Sequence, residues 1–443
     1  MGIDVPVWAS AIMVMGALLL LIGAGMWISI ALIGAGLFAL AFLAGGKQDL
    51  IDSLLFNGLN SFVLVAIPMF IFMGELILKS GLSEGLYRGV SKWTAVIPGS
   101  LLHSNIVACS IFAAVSGSSA ATAATVGTVA YRDQRARGYH YGLLGGSVAA
   151  GGTLGILIPP SIPMIVYGDF VGASVAKLFA GGVIPGVMLT LLFIIAIAVI
   201  ALIRPRYAPE RREQFSLAYL RNVVTSFKDI WPLLVIILVI FGGIYGGFMT
   251  PSEAAAVSCF AALLLALFLR KLDINVFKEA AFAALRTTAM VLLIVVAAKI
   301  LGAGIALTRM PAELVSFVSA LGLSKMWVWA VIVLLYLILG CFMEGLSMML
   351  LTLPVTYELL VRGLGFDPIW FGVVLVVLIE CALITPPVGV NLFIIHGISR
   401  DESFSHLTLG AFPFFIIMIG MVGLLTAFPF LVTWLPGVIM PAR

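Results

Sequence analysis

The stretch GILIPPSIPMIVYG, Gly155 to Gly168, has the apolar character of a membrane-crossing helix, yet it carries three prolines where such a helix keeps its hydrogen-bond ladder. Each proline lacks an N–H, and its ring collides with the carbonyl one turn back, so Pro159, Pro160 and Pro163 release several backbone carbonyls near mid-membrane. Bare backbone at that depth is tolerated only where protein or a polar cavity covers it, and discontinuous helices of this kind hold cations and substrates in secondary transporters. A second copy follows in ALITPPVGVNLFII, Ala382 to Ile395, where the proline pair Pro386 and Pro387 stands 227 residues after the first. The freed carbonyls therefore come in two sets.

Composition agrees with a membrane setting. Hydrophobic residues make up 62% of the chain and charged residues 10%, far from the quarter that a soluble domain carries. The net charge of +4 points to no nucleic acid, because no basic run is long enough to follow a phosphate backbone. Cys109, Cys259, Cys341 and Cys381 lie in apolar segments without a CxxC or a neighbouring histidine, so they are expected to pack and not to bind metal or form disulfides. The start, MGIDVPVW, lacks a basic region and runs directly into a long apolar stretch, which argues against a cleaved signal peptide.

Apolar runs matched to bilayer thickness predict spans near 7–24, 26–45, 62–79, 141–168, 178–203, 230–247, 251–270, 286–307, 366–400 and 408–435, about ten crossings. Two further stretches, 97–131 and 325–361, have small or polar residues at their centres and are expected to be re-entrant hairpins that enter and leave on one side. Loop charge supports this layout. With the N- and C-termini periplasmic, 17 of the 24 Lys and Arg residues fall on one side and six on the other, with Lys299 left inside a span; the richer side is then cytoplasmic. Residues 204–229 form the expected cytoplasmic linker between a first half, 1–203, and a second, 230–443.

The halves repeat. Gly117-Ser118-Ser119 maps onto Gly345-Leu346-Ser347 at an offset of 228, as do Gly74 onto Gly302 and Leu86 onto Leu314. Each half holds about five spans, and an odd number turns the second copy over, so the expected architecture is an inverted repeat whose hairpin tips meet near the midplane. Short amphipathic segments at 82–93 and 311–321 are expected along the interfaces.

The tip SGSSAATAATVG, Ser116 to Gly127, gathers hydroxyls and small residues. Neutral oxygens suit Na⁺ because no carboxylate has to be buried with the ion, although small-residue runs also serve close helix packing. The expected first cation site uses main-chain carbonyls of Ser116, Gly155, Ile158 and Pro160, with Gly117, Ser118, Ser119 and Pro159 nearby. The second uses Gly345, Ser347, Thr385 and Pro387, with Glu344, Pro386, Gly389 and Asn391 in its vicinity.

Ionisable groups in apolar surroundings are functional candidates by default. Glu344, at the second tip, is expected to be a cation ligand or a proton-linked carboxyl; Glu380 is either a functional carboxyl or a partner for freed backbone. Lys299 is expected to play a structural part, pairing with an acid of another subunit or a lipid phosphate, or snorkelling to the interface. His396 is expected to make a satisfied polar contact. Asp169, after Gly168, has no second membrane aspartate to partner it. No P-loop, HExxH or nucleophile motif is present, which argues against an enzyme and for an ion gradient as the driving force.

GSSAATAATVG, GGTLGILIPPSIPMIVYG, TPSEAAAV (Thr250 to Val257) and ALITPPVGVNLF together make the chain resemble the large membrane subunit of TRAP transporters, the tripartite ATP-independent periplasmic family of DctM type. The resemblance covers essentially the whole chain. It implies a multi-pass protein of the bacterial inner membrane that imports organic acids by an elevator mechanism, with Na⁺ as coupling ion. It also implies two partners, a small four-helix membrane subunit and a periplasmic substrate-binding protein, the former expected as a separate chain. The implied Na⁺ sites fall at Ser116, Gly155, Ile158 and Pro160 and around Thr385, Pro386 and Pro387. Glu344 stands where members of the family more often carry Asp. Substrate class stays open among C4-dicarboxylates, sugar acids and similar carboxylates. The alternative is a stand-alone sodium-coupled divalent-anion carrier that needs no binding protein.

Overall fold

The computed structural model describes residues 6–47, 49–209, 215–399 and 402–440. These residues are helical throughout, without a strand. The first run is α1 (Val7–Gly23), α2 (Ile28–Phe38), which continues into a π-helical turn at Ala39–Leu43, α3 (Leu50–Leu59), α4 (Ala66–Lys79) and α5 (Leu82–Thr94). Next come α6 (Leu101–Ser116), α7 (Ser119–Ala136), α8 (Tyr141–Leu157), α9 (Ile162–Val171) and α10 (Val175–Ile203). The second half supplies α11 (Leu217–Tyr245), α12 (Pro251–Phe268), α13 (Ile274–Leu307), α14 (Met310–Ala320), α15 (Lys325–Gly340) and α16 (Gly345–Tyr357). It closes with α17 (Pro368–Leu383), α18 (Val390–Ile398), α19 (Phe404–Ala427) and α20 (Phe430–Ile439).

Both hairpins and both broken helices are present as helix pairs. The 97–131 stretch is α6 and α7 joined at Gly117-Ser118, and 325–361 is α15 and α16 joined across Cys341 to Glu344. The interruption in 141–168 covers Ile158 to Ser161, and that in 366–400 covers Ile384 to Gly389. Helices α5 to α10 and their counterparts α14 to α19 start 224 to 229 residues apart, so the sequence offset is carried by the elements themselves.

Several boundaries move. Helix α11 starts at Leu217, because Ser216 caps it through the Tyr219 N–H at 3.2 Å, and so the helix takes over much of the 204–229 linker. Residues 210–214 of that linker lie outside the described residues, as do the first five and last three of the chain, which the termini were expected to place in the periplasm. Helix α13 likewise begins at Ile274, where Asp273 accepts from two backbone N–H groups. The 408–435 span divides at Phe428-Pro429, where the proline cannot extend the ladder of α19. Helix α3 was not expected at all.

Fewer helices cross unaided than about ten. Among the described residues six segments are long and apolar enough to span a bilayer, or seven if Leu50–Leu59 and Val63–Lys79, bent by 54°, act together. The difference has a physical source: α1, α2 and α17 are shorter apolar helices, because caps, a π-helical turn and the break end them early, and α4 reaches span length only together with the bent segment before it.

Packing sorts the helices into two groups. One holds α1 to α4 with α11 to α13; the other holds α6 to α10 with α15 to α20, centred on α8, which is buried along its whole length. Helices α5 and α14 touch both groups and match the two predicted amphipathic segments. The boundary is closest where glycine removes a side chain. A Cβ on Gly74 of α4 would stand 3.3 Å from the Ser116 carbonyl oxygen, whereas at Gly302 of α13, its counterpart in the second half, the nearest atoms belong to Phe170 and Pro354.

Candidate functional site

The first predicted set comes together at the join of α6 and α7 against the break between α8 and α9. Gly117 adopts φ +61°, a conformation that favours glycine, and a Cβ there would stand 3.1 Å from the Pro160 carbonyl oxygen. Gly155 is closer still: its Cβ would lie 2.7 Å from both the Ser118 carbonyl oxygen and the Ser119 Cα. Backbone therefore meets backbone with no side chain between. Among the described residues no backbone N–H reaches the carbonyls of Ser116, Gly155, Ile158 or Pro160. Ser116, Gly155, Pro159 and Pro160 are buried and Ile158 is half-buried.

Hydroxyls fix the tip. Ser118 caps α7 by accepting from the Ala121 N–H at 3.3 Å, Thr122 donates to the Ser118 carbonyl at 2.8 Å, and the Ser116 and Thr122 hydroxyls pair at 2.8 Å. A buried carboxyl completes this corner. Ser119 donates to Oε1 of Glu380 in α17, while Oε2, fully buried, has no hydrogen-bond partner among the described residues.

The second set assembles differently. Gly345 and Ser347 lie in the first turn of α16, so their carbonyls enter its ladder, and Glu344 caps that helix by accepting from the Leu346 and Ser347 N–H groups, each at 3.1 Å. The carboxylate of Glu344 thus has a capping partner that sequence reasoning did not supply. Among the described residues no backbone N–H reaches the carbonyls of Thr385 and Pro387, and Cys341 approaches the Pro386 carbonyl at 3.4 Å, so tip and break do meet. Gly345 and Gly340 lie against Ile379 and Ala382 of α17 as Gly155 lies against the first tip. Gly389 takes φ +58° to start α18. Unlike the first set, Glu344, Pro386, Pro387 and Val388 are exposed.

Asn391 joins α18 to the middle of α8. Fully buried, it donates to the Ala149 carbonyl of α8 at 3.2 Å and leaves its own Oδ1 without a partner. Both halves thus contribute to a single corner around α8.

Two expectations are corrected. Lys299, expected to pair with an acid of another subunit or a lipid phosphate or to snorkel, pairs within the chain with Asp169 at 2.7 Å, and Ser61 also donates to Asp169. The two lie 130 residues apart, on α13 and α9, and nothing local in the sequence signals the pairing. Among the described residues His396 Nδ1 has no partner, and the ring packs edge-on to Phe404. A buried polar network was missed: Asn105, Gln134, Ser147 and Tyr87 bind one another, tying α6, α7, α8 and α5 together. Its only sequence signal is uncapped amides inside apolar helices.

Comparison with known proteins identifies the family. Residues 13–431 match the family described as tripartite ATP-independent periplasmic transporter, DctM component. The isethionate TRAP transporter permease protein DctMQ of Oleidesulfovibrio alaskensis is 33% identical over 404 residues, covering 90% of this chain; the chain spans 62% of that relative's length. The C4-dicarboxylate TRAP transporter large permease protein DctM of Pseudomonas aeruginosa is 33% identical over 386 residues, 87% of each chain. Among solved structures, the YdaH transporter of Alcanivorax borkumensis shares the fold, with a TM-score of 0.62 at 13% identity over 86% of this chain and 88% of that one. With two interrupted helices, two helical hairpins and a match that runs nearly from end to end, the chain belongs to the DctM component family of TRAP transporters.

Proposed function

We propose that the chain is the large membrane subunit of a sodium-coupled importer of organic acids in the bacterial inner membrane, working with a small four-helix membrane subunit and a periplasmic substrate-binding protein. The observation that carries this reading is the set of unclaimed carbonyls at Ser116, Gly155, Ile158 and Pro160, closed in by a hydroxyl-bearing hairpin tip. Neutral main-chain oxygens replace the hydration shell of Na⁺ without a second buried charge. The carbonyls of Thr385 and Pro387 and the Ser347 hydroxyl supply the counterpart. Helices α9 and α18 begin at the breaks and direct the positive ends of their dipoles there, which favours a carboxylate beside the cations.

The two halves are read as an inverted repeat, with both termini periplasmic. The group centred on α8 carries ions and anion as one body, and the group of α1 to α4 with α11 to α13 is the scaffold on which it slides. The organic acid is a C4-dicarboxylate, a sugar acid or a related anion, as the names of the relatives suggest. In this scheme the chain's residues bind and release; none performs covalent chemistry.

The test is uptake into proteoliposomes that hold this chain, its small subunit and its binding protein. Labelled carboxylate is expected to accumulate on an inward Na⁺ gradient and to stop when Na⁺ is replaced by K⁺. Accumulation that follows a proton gradient and ignores Na⁺ would overturn the coupling. Undiminished uptake by the lone chain would instead favour the stand-alone carrier.

A further inference from the structure

A charged cleft lies away from both predicted cation sites. It measures about 620 Å³, within the range of pockets for small organic molecules, and it opens at the boundary between the two helix groups. Lys299 and Arg309 line it from the scaffold side, Arg362 from the end of the second hairpin, Asp169 from α9, with Asn57 on α3. Two of the cations are engaged: Lys299 with Asp169 at 2.7 Å and Arg362 with Glu358 at 3.0 Å. Among the described residues Arg309 meets no acidic group, which leaves the cleft with a surplus positive charge.

Its location sharpens the point. Loop charge keeps the periplasmic face poor in cations, with six in all, and two of those six, Arg309 and Arg362, sit in this one cleft. The repeat supplies a comparison within the same chain. At the offset of 228, Leu78, Ser83, Glu84 and Val126 correspond to Ala306, Pro311, Ala312 and Pro354, and the first four line a smaller cleft of about 300 Å³ whose only charged residue is Glu84. The charge therefore distinguishes one copy from the other and does not follow from the shared fold alone.

We propose that this cleft is a binding station for a small organic anion, a carboxylate or sulfonate, held by Arg309 and Arg362 as it arrives from the periplasmic side. Guanidinium forks suit planar or tripodal oxyanions, and one fork stands on each helix group, so an anion between them bridges the boundary. Its purpose rests on the importer reading above.

The test reads the charge of the cleft chemically, without transport. Ala306→Cys is placed in a Cys341→Ser background of the full chain, the other three cysteines being buried. Anionic (2-sulfonatoethyl) and cationic (2-trimethylammonioethyl) methanethiosulfonates then compete at the same sulfur. Arg309→Gln with Arg362→Gln is expected to lower the anionic-to-cationic rate ratio at least about threefold, and Arg309→Lys with Arg362→Lys to hold it. Isethionate or succinate is expected to slow labelling by an uncharged maleimide, with the protection lost in the double glutamine variant. A ratio indifferent to the arginines overturns the proposal, as does an absence of protection by both anions. Labelling that follows the phosphatidylglycerol content of the vesicles and ignores soluble anions also overturns it, in favour of a lipid headgroup. If Na⁺-driven uptake fails while this labelling pattern stands, the importer reading falls and the anion station does not.

Discussion

The Ser119 hydroxyl at the tip of the first hairpin donates to the Glu380 carboxylate of α17, joining the two halves of the chain across 261 residues. Both groups are buried, so removing one strands the other. Ser119→Ala is expected to cost about 1–3 kcal/mol, the penalty for an unsatisfied buried partner. Paired with Glu380→Leu, which removes the acceptor, in a double-mutant cycle, it is expected to show coupling of at least about 0.5 kcal/mol. Thermal unfolding of the purified protein measures both; strict additivity would mean that the contact does not form.

Gly155 tests how tightly tip and break fit. Its added Cβ would meet backbone atoms at 2.7 Å, and backbone cannot swing aside as a side chain can. Gly155→Ala is expected to destabilise by about 1–3 kcal/mol and to weaken Na⁺-dependent uptake at least tenfold. Gly16→Ala in α1, with nothing within 4 Å, is expected to be neutral or slightly stabilising.

Glu344 separates capping from ion binding. Loss of the cap in Glu344→Ala is expected to cost about 1 kcal/mol, by the same amount with and without Na⁺. Glu344→Asp, which keeps an acceptor at the start of α16, is expected to restore most of it. A loss seen only at saturating Na⁺ would identify the side chain as a ligand.

The pair Lys299 and Asp169 is expected to behave as a unit. Lys299→Met leaves Asp169 largely buried beside Ser61 and is expected to cost about 2 kcal/mol or more, less than the roughly 3–5 kcal/mol of a fully buried pair. Lys299→Met with Asp169→Asn is expected to be more stable than Lys299→Met alone. Unfolding of the three variants in one detergent decides this.

His140, in the loop before α8, stacks on Tyr207 with ring centroids 4.0 Å apart. Burial, with help from His406, holds its pKa below the ordinary 6.5. The unfolded chain therefore binds the proton more readily, and stability is expected to be complete above pH 6.5 and to fall as pH drops toward the folded value. His140→Phe, which keeps the stack, is expected to flatten that part of a stability-against-pH profile.

Much of this was readable from the residues alone. Prolines in pairs and a run of small hydroxyl residues are local signals with local causes, so both breaks and the Gly117-Ser118 join followed from sequence. The capping box of Thr250 and Glu253, in which the Thr250 N–H donates to Glu253 at 2.8 Å, went unread although its spacing is a local signal. What stayed hidden was long-range pairing. Lys299 and Asp169 become partners only once α13 and α9 pack, and Arg309 joins Arg362 only through a cleft that no spacing encodes. The cap that Glu344 provides went unseen because an acid in apolar surroundings draws attention to its charge, when its neighbours on the C-terminal side were already a helix start in need of an acceptor.

Gly74 and Gly302 occupy matching positions but have different company. The counterpart of Ser116, which Gly74 touches, is Glu344, and Glu344 is exposed and absent from the surroundings of Gly302. If the halves trade roles as the carrier travels, the opposite end of the stroke brings Glu344 onto Gly302 and releases Ser116 from Gly74. A cysteine at 302 and another at 344 would then be crosslinked in that posture alone, which turns one bare spot on a helix into a ruler for the whole excursion.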